Sequence, residues 1–140
     1  MTPLDLQEQL PYRRADRPTV IVRIVYGGSH VDTEAMLDTG ASVCVFDATL
    51  AALLGIPLTR GRRVPILGLD GTIRAARMVP LDLTVLPESA GIRLRQTEVA
   101  FLEGVERTVG NLLGLKGFFS AVDFGLSHSH RTIHFGLSRA

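Results

Sequence analysis

Met36-Leu37-Asp38-Thr39-Gly40-Ala41-Ser42 is the stretch on which the reading of this chain turns. It places an acid at the end of an apolar run, followed by a hydroxyl, a glycine and two small residues. A carboxylate that is to activate water must project from a rigid, tightly turned loop. Gly40 lets the backbone turn sharply and lets a substrate or a second subunit approach closely. Thr39 can then hydrogen-bond backbone groups of a facing loop. A specified five-residue string such as Leu37 to Ala41 arises by chance in a chain of this length on the order of once in ten thousand sequences. The plain alternative is a turn aspartate after a strand, a common role for Asp.

Outward from this loop the chain reads as short strands. Thr19 to Tyr26 is β-branched and apolar, Gly27-Gly28 offers a turn, and His30 to Leu37 returns as a second strand ending at Asp38. Beyond the loop, 43–46 read as a buried strand. Asp47 can cap a short helix through Leu50, Ala51, Leu53 and Leu54, which Gly55 stops. Asp70-Gly71 is a strong hairpin signal between strands expected at Val64 to Leu69 and Thr72 to Val79. A strand fits Ile92 to Phe101, pairing with 81–86. Asn111-Leu112-Leu113-Gly114 reads as a strand end closed by glycine, followed by a helical turn through Phe118 and two short strands near 121–126 and 131–135. The expected fold is mainly β, a small closed β-barrel with one or two short helices. Residues 1–17 read as a flexible N-terminal arm and 18–140 as one domain.

Composition narrows the function classes. The 140 residues are 46% hydrophobic and 21% charged, the balance of one folded domain. A net charge of +1 gives no reason to expect a nucleic-acid or membrane partner. Cys44 is the single cysteine and sits between Val43 and Val45, so a packed core thiol is expected and no internal disulfide can form. Met1 to Arg17 lacks an apolar run long enough for a signal sequence or a span, and a cytoplasmic protein is the simplest expectation. His128, His130 and His134 suggest metal binding, but no acid or cysteine stands beside them. They read as a polar turn between the last strands, and neither a metal nor a cofactor is expected.

Leu37-Asp38-Thr39-Gly40-Ala41 resembles the active-site loop of aspartic peptidases, specifically the retropepsin branch. The hairpin Leu67 to Thr72 lies where that family has its substrate-covering flap. Leu112-Leu113-Gly114 resembles the element that packs beneath the catalytic loop. The resemblance implies Asp38, Thr39 and Gly40 as catalytic-loop residues, with Ala41, Ser42, Leu69, Asp70, Gly71 and Thr72 at the substrate. Val64, Ile66, Leu69, Ile73 and Leu115 are candidate pocket walls. Only one Asp-Thr-Gly loop is present, since Asp32-Thr33-Glu34 lacks the glycine, so the resemblance implies a homodimer acting on a peptide or protein substrate. Retroviral members often carry an acid where this chain has Ser42 and an arginine where it has Leu115, and that ion pair is absent here. The competing reading from another class is a catalytically inactive dimeric β-barrel that binds peptides or partner proteins.

Overall fold

The computed structural model describes residues 4–68 and 70–138. Ten strands and one α-helix appear among them: β1 (Glu8–Pro11), β2 (Thr19–Tyr26), β3 (Ser29–Leu37), β4 (Cys44–Asp47), α1 (Ala48–Leu54), β5 (Arg62–Leu67), β6 (Ile73–Val85), β7 (Arg93–Leu102), β8 (Asn111–Leu113), β9 (Val122–Ser127) and β10 (Thr132–Leu137). The larger sheet runs β2-β3-β8-β4-β7-β6-β5, and a further β2–β6 pairing closes its first six strands into a barrel. β5 is left as an edge strand. A smaller sheet, β1-β10-β9, packs against the barrel. The fold is mainly β, a small closed barrel with one short α-helix, as the strand pattern predicts.

Local chemistry accounts for most of these elements. The β2–β3 hairpin turns at Gly27, whose φ is +59°. Alternation in β2 sends Val20, Val22 and Ile24 into the barrel, each at most 2% exposed. Asp47 caps α1 by accepting from the Thr49 amide at 2.9 Å, and Gly55 ends the helix at φ +70°. The interior is filled by Phe46, Phe101, Phe118, Leu83 and their neighbours. A separate apolar cluster, Val45, Ala76, Met78, Ala100 and Val105, lies beside the loop that follows β3, with Val43, Val64, Ile66 and Leu112 packed on it.

Several elements differ from the sequence expectation. Residues 8–11, read as part of a flexible arm, form β1 and pair antiparallel with β10, and Tyr12 is buried behind them. The stretches 72–79 and 81–86 are one strand, β6, continuous through Pro80. Its ladder with β5 ends at Met78 and its ladder with β2 begins at Asp82, so Pro80 falls where that side needs no N–H donor. The region around Phe118 forms turns, with Ala121 and Val122 both donating to the Phe118 carbonyl. No helix among the described residues is long and apolar enough to cross a membrane.

Candidate active site

β3 and β8 run parallel, Leu37 beside Leu113, and this pairing builds the floor of the site. Where β3 ends, the Asp38 amide donates to the Leu113 carbonyl at 3.0 Å, which fixes the direction in which the chain leaves the sheet. The loop then folds on itself. Asp38 Oδ1 accepts from the Gly40 amide at 2.9 Å, and the Ala41 amide donates to the Asp38 carbonyl at 3.1 Å. Asp38 is half-buried, while Thr39, Gly40 and Ser42 are exposed and Ala41 is half-buried. One carboxylate oxygen is therefore oriented by the backbone and the other is free to face a reactant. The Thr39 hydroxyl has no partner among the described residues.

The segment after β8 locks the loop from the far side. Leu115 donates to the Ala41 carbonyl at 2.9 Å and Lys116 to the Ser42 carbonyl at 3.0 Å. These two backbone bonds tie together the segments that carry Ser42 and Leu115, the positions of the absent ion pair. Gly114 sits between the strands so closely that an added Cβ would lie 2.3 Å from the Val43 carbonyl oxygen and 2.7 Å from that of Ala41. Only glycine fits. Its amide points at Cys44 Sγ at 3.4 Å, and burial pushes the Cys44 thiol up to about 11, so it serves as a packed acceptor and not as a nucleophile.

One contributor was missed from the sequence. Asn111 is buried, and its side-chain oxygen accepts from the Asp47 amide at 2.9 Å while its Nδ2 donates to Thr33 Oγ1 and to the Glu34 carbonyl, both at 3.0 Å. A single amide thus ties the strand entering the Asp38 loop to the strand leaving it. The available signal was a polar residue opening an otherwise apolar Asn-Leu-Leu-Gly run.

Over this floor stands the β5–β6 hairpin. Its tip is longer than the two-residue turn expected from Asp70-Gly71. The last strand pair is Leu67 with Ile73, and the Gly68 amide donates to the Thr72 carbonyl at 2.9 Å. Asp70 Oδ1 accepts from the Thr72 amide at 3.0 Å and hydroxyl at 2.7 Å, which holds its carboxyl below the ordinary carboxylate value. Gly71 takes φ +82°. Asp70, Gly71 and Thr72 are thus together at the tip, and Leu69 lies outside the described residues.

Register decides which hairpin residues can wall a pocket. Val64 pairs with Ala76 and Ile66 with Arg74, and this face packs onto Val45, Ala100, Val105 and Leu112. Arg74 anchors the hairpin by donating to the Glu103 carbonyl at 2.6 Å. Val64 and Ile66 therefore face the floor and pack on it. Ile73 does not: it lies on the opposite face and is 71% exposed, which removes it from the pocket walls. Leu115, 48% exposed, stands at the rim beside Ala41. His128 meets the Tyr12 hydroxyl and His130 meets Ser127 and Ser129, contacts of a polar turn, and no metal-holding group of His, Cys, Asp or Glu occurs among the described residues.

The arrangement is a rigid, backbone-held carboxylate under an apolar hairpin. A family model described as aspartyl protease matches residues 20–116, which span the Asp38 loop, the hairpin and β8. The chain belongs to the aspartyl protease family. Among solved structures, this aspartyl protease is similar to a retropepsin-like aspartic protease from Rickettsia conorii, at 16% identity and a TM-score of 0.66, with 94% of this chain and 91% of that one covered. At that identity the likeness establishes the fold. No curated protein matches the aspartyl protease described here.

Proposed function

We propose that this aspartyl protease is an endopeptidase that hydrolyses peptide bonds as a homodimer, with Asp38 of each subunit supplying half of the catalytic pair. The observation that carries this reading is the Asp38 loop itself. One carboxylate is fixed by Gly40, and the neighbouring Thr39 hydroxyl points out of the chain with no partner among the described residues. One carboxylate cannot both take a proton from water and give one to the carbonyl it attacks. Two can, because like charges about 3 Å apart share a single proton. A two-fold axis beside the loop brings two copies of Asp38 together and sets each Thr39 against the partner's loop backbone.

The ionised Asp38 takes a proton from a water, that water attacks the scissile carbonyl, and the protonated Asp38 donates to the carbonyl oxygen. The peptide lies extended across the Asp38 loop beneath the hairpin, whose base is held on the floor by the packing of Val64 and Ile66 against Val45 and Leu112. The pair titrates as a unit, so a bell-shaped pH profile belongs to the dyad.

Turnover of a mixed peptide library by wild type and by Asp38→Asn between about pH 3 and pH 8 tests the reading. Cleavage by wild type alone, lower by about 10²–10⁴-fold in the variant, is the expected result. Equal cleavage by both, or none by wild type across the range, overturns it and leaves the silent peptide-binding barrel.

A further inference from the structure

The face of the β5–β6 hairpin turned away from the catalytic loop has a composition that its own packing does not explain. Its cross-strand pairs are Arg63 with Arg77, Pro65 with Ala75, and Leu67 with Ile73. Residues directly opposite in a sheet touch, and two like charges in such a pair oppose the hairpin's own stability. Arg63 has no ion pair or hydrogen bond among the described residues, and Arg77 donates to the Gly61 carbonyl at 3.1 Å. The carboxylates nearby are engaged elsewhere. Glu98 pairs with Arg62 at 3.0 Å, and Asp70 holds Thr72. Beyond the two arginines the face is apolar, with Leu67 and Ile73 each 71% exposed. A shallow groove of about 340 Å³ lies at the hairpin, lined by Arg63, Pro65, Ile73 and Ala75 of this face together with Val64 and Arg74 of the other.

A strand edge with a like-charge pair and an exposed apolar ladder breaks two local rules at once, and such violations mark functional surface. We propose that this outer hairpin face is an exosite for an extended peptide segment in which apolar residues alternate toward acidic ones. Same-face positions along a strand recur about every 6.6 Å, so a segment of the form apolar-x-apolar-x-acid sets its apolar side chains over Pro65, Ala75 and Ile73 and its carboxylate between Arg63 and Arg77. β5 is also the free edge of the larger sheet, so the segment can lie beside it as an added strand as well as on its face. The two charged residues that line the groove, Arg63 and Arg74, are both arginines, which selects an acidic occupant over a basic one.

This inference does not depend on catalysis, so it is tested on the full-length chain carrying Asp38→Asn, which keeps the probe intact. The probe is a fluorescein-labelled peptide, Gly-Leu-Ser-Ile-Ser-Glu-Ser-Glu-Gly, and its counterpart with lysine at both glutamates, followed by fluorescence anisotropy. Saturable binding of the acidic peptide is expected, weaker by about tenfold when Arg63→Glu is added, with the preference reversed toward the lysine peptide. Ile73→Ser, equally exposed, should weaken binding with no change of charge preference. The same affinity in both variants as in their parent overturns the exosite, as does no saturable binding up to about 1 mM. Displacement of the probe by excess of an uncharged apolar peptide places it in the catalytic cleft and also overturns the proposal. Arg63-dependent binding to phosphatidylserine vesicles without binding to the peptide overturns it in favour of a membrane surface.

Discussion

Gly114, beside the Asp38 loop, and Gly71, at the hairpin tip, are needed for different reasons. Gly114, in the floor, has an ordinary backbone, but no room exists for a Cβ against the Val43 and Ala41 carbonyls. Gly71, at the hairpin tip, has nothing within 4 Å of the place a Cβ would occupy, yet takes φ +82°. The floor is constrained by its neighbours and the hairpin by its own torsions. Rigidity therefore comes from outside in one region and from within in the other, so damage to the two should spread differently.

The largest effect is expected from Gly114→Ala. The added methyl meets backbone, which cannot swing aside as a flexible side chain can, and a loss of about 3 kcal/mol or more follows, seen as a thermal midpoint lower by about 10 °C or as failure to fold. A midpoint within a degree of wild type would show that the two loops part easily and would end the contrast. Asn111→Ala comes next. It removes the acceptor of the buried Asp47 amide and the donor to the Glu34 carbonyl, at a cost of about 2–4 kcal/mol in denaturant unfolding. Gly71→Ala should cost only about 1 kcal/mol, the strain of a left-handed alanine, and should raise KM more than it lowers the unfolding midpoint. An equal loss of stability at both glycines would show that the tip is as tightly coupled as the floor.

The smallest effect is electrostatic and lies away from the cleft. The Asp32 carboxyl is held below its ordinary value chiefly by its hydrogen bond from Arg23, two contacts at 2.7 and 3.1 Å. A folded-state value below the unfolded one stabilises the protein above the unfolded value of about 3.9 and is lost as pH falls through the folded value. Asp32→Asn should thus flatten the acid limb of the stability profile slightly and converge with wild type at the lowest pH. No convergence would mean that the pair contributes through packing.

What the sequence made legible was mostly local chemistry. The Asp-Thr-Gly loop, the Gly27 turn, the Asp47 cap and the Gly55 stop each depend on residues within a few positions of one another. What stayed hidden depends on distant partners. Glu8-Gln9-Leu10-Pro11 has no strand pattern of its own and becomes β1 because β10 supplies a ladder. The proline in β6 reads as a break until one sees which neighbour it faces. The outward turn of Ile73 followed from a tip longer than Asp70-Gly71 suggests, since moving the register by one residue moves a side chain to the other face. Asn111 could be noticed as an amide in an apolar run, but its three partners lie on strands read separately. Beyond the loop itself, the family resemblance located the hairpin and β8, and local patterning alone would not have joined them to Asp38.

The parallel pairing of β3 with β8 has a consequence for how the protein comes into being. During synthesis the Asp38 loop emerges long before Leu113, Gly114 and Leu115, which hold it in shape. Until those residues leave the ribosome the loop is an ordinary stretch of unfolded chain, and closing so distant a contact is intrinsically slow. The nascent chain thus carries the Asp-Thr-Gly sequence well before it carries the residues that give that loop its shape.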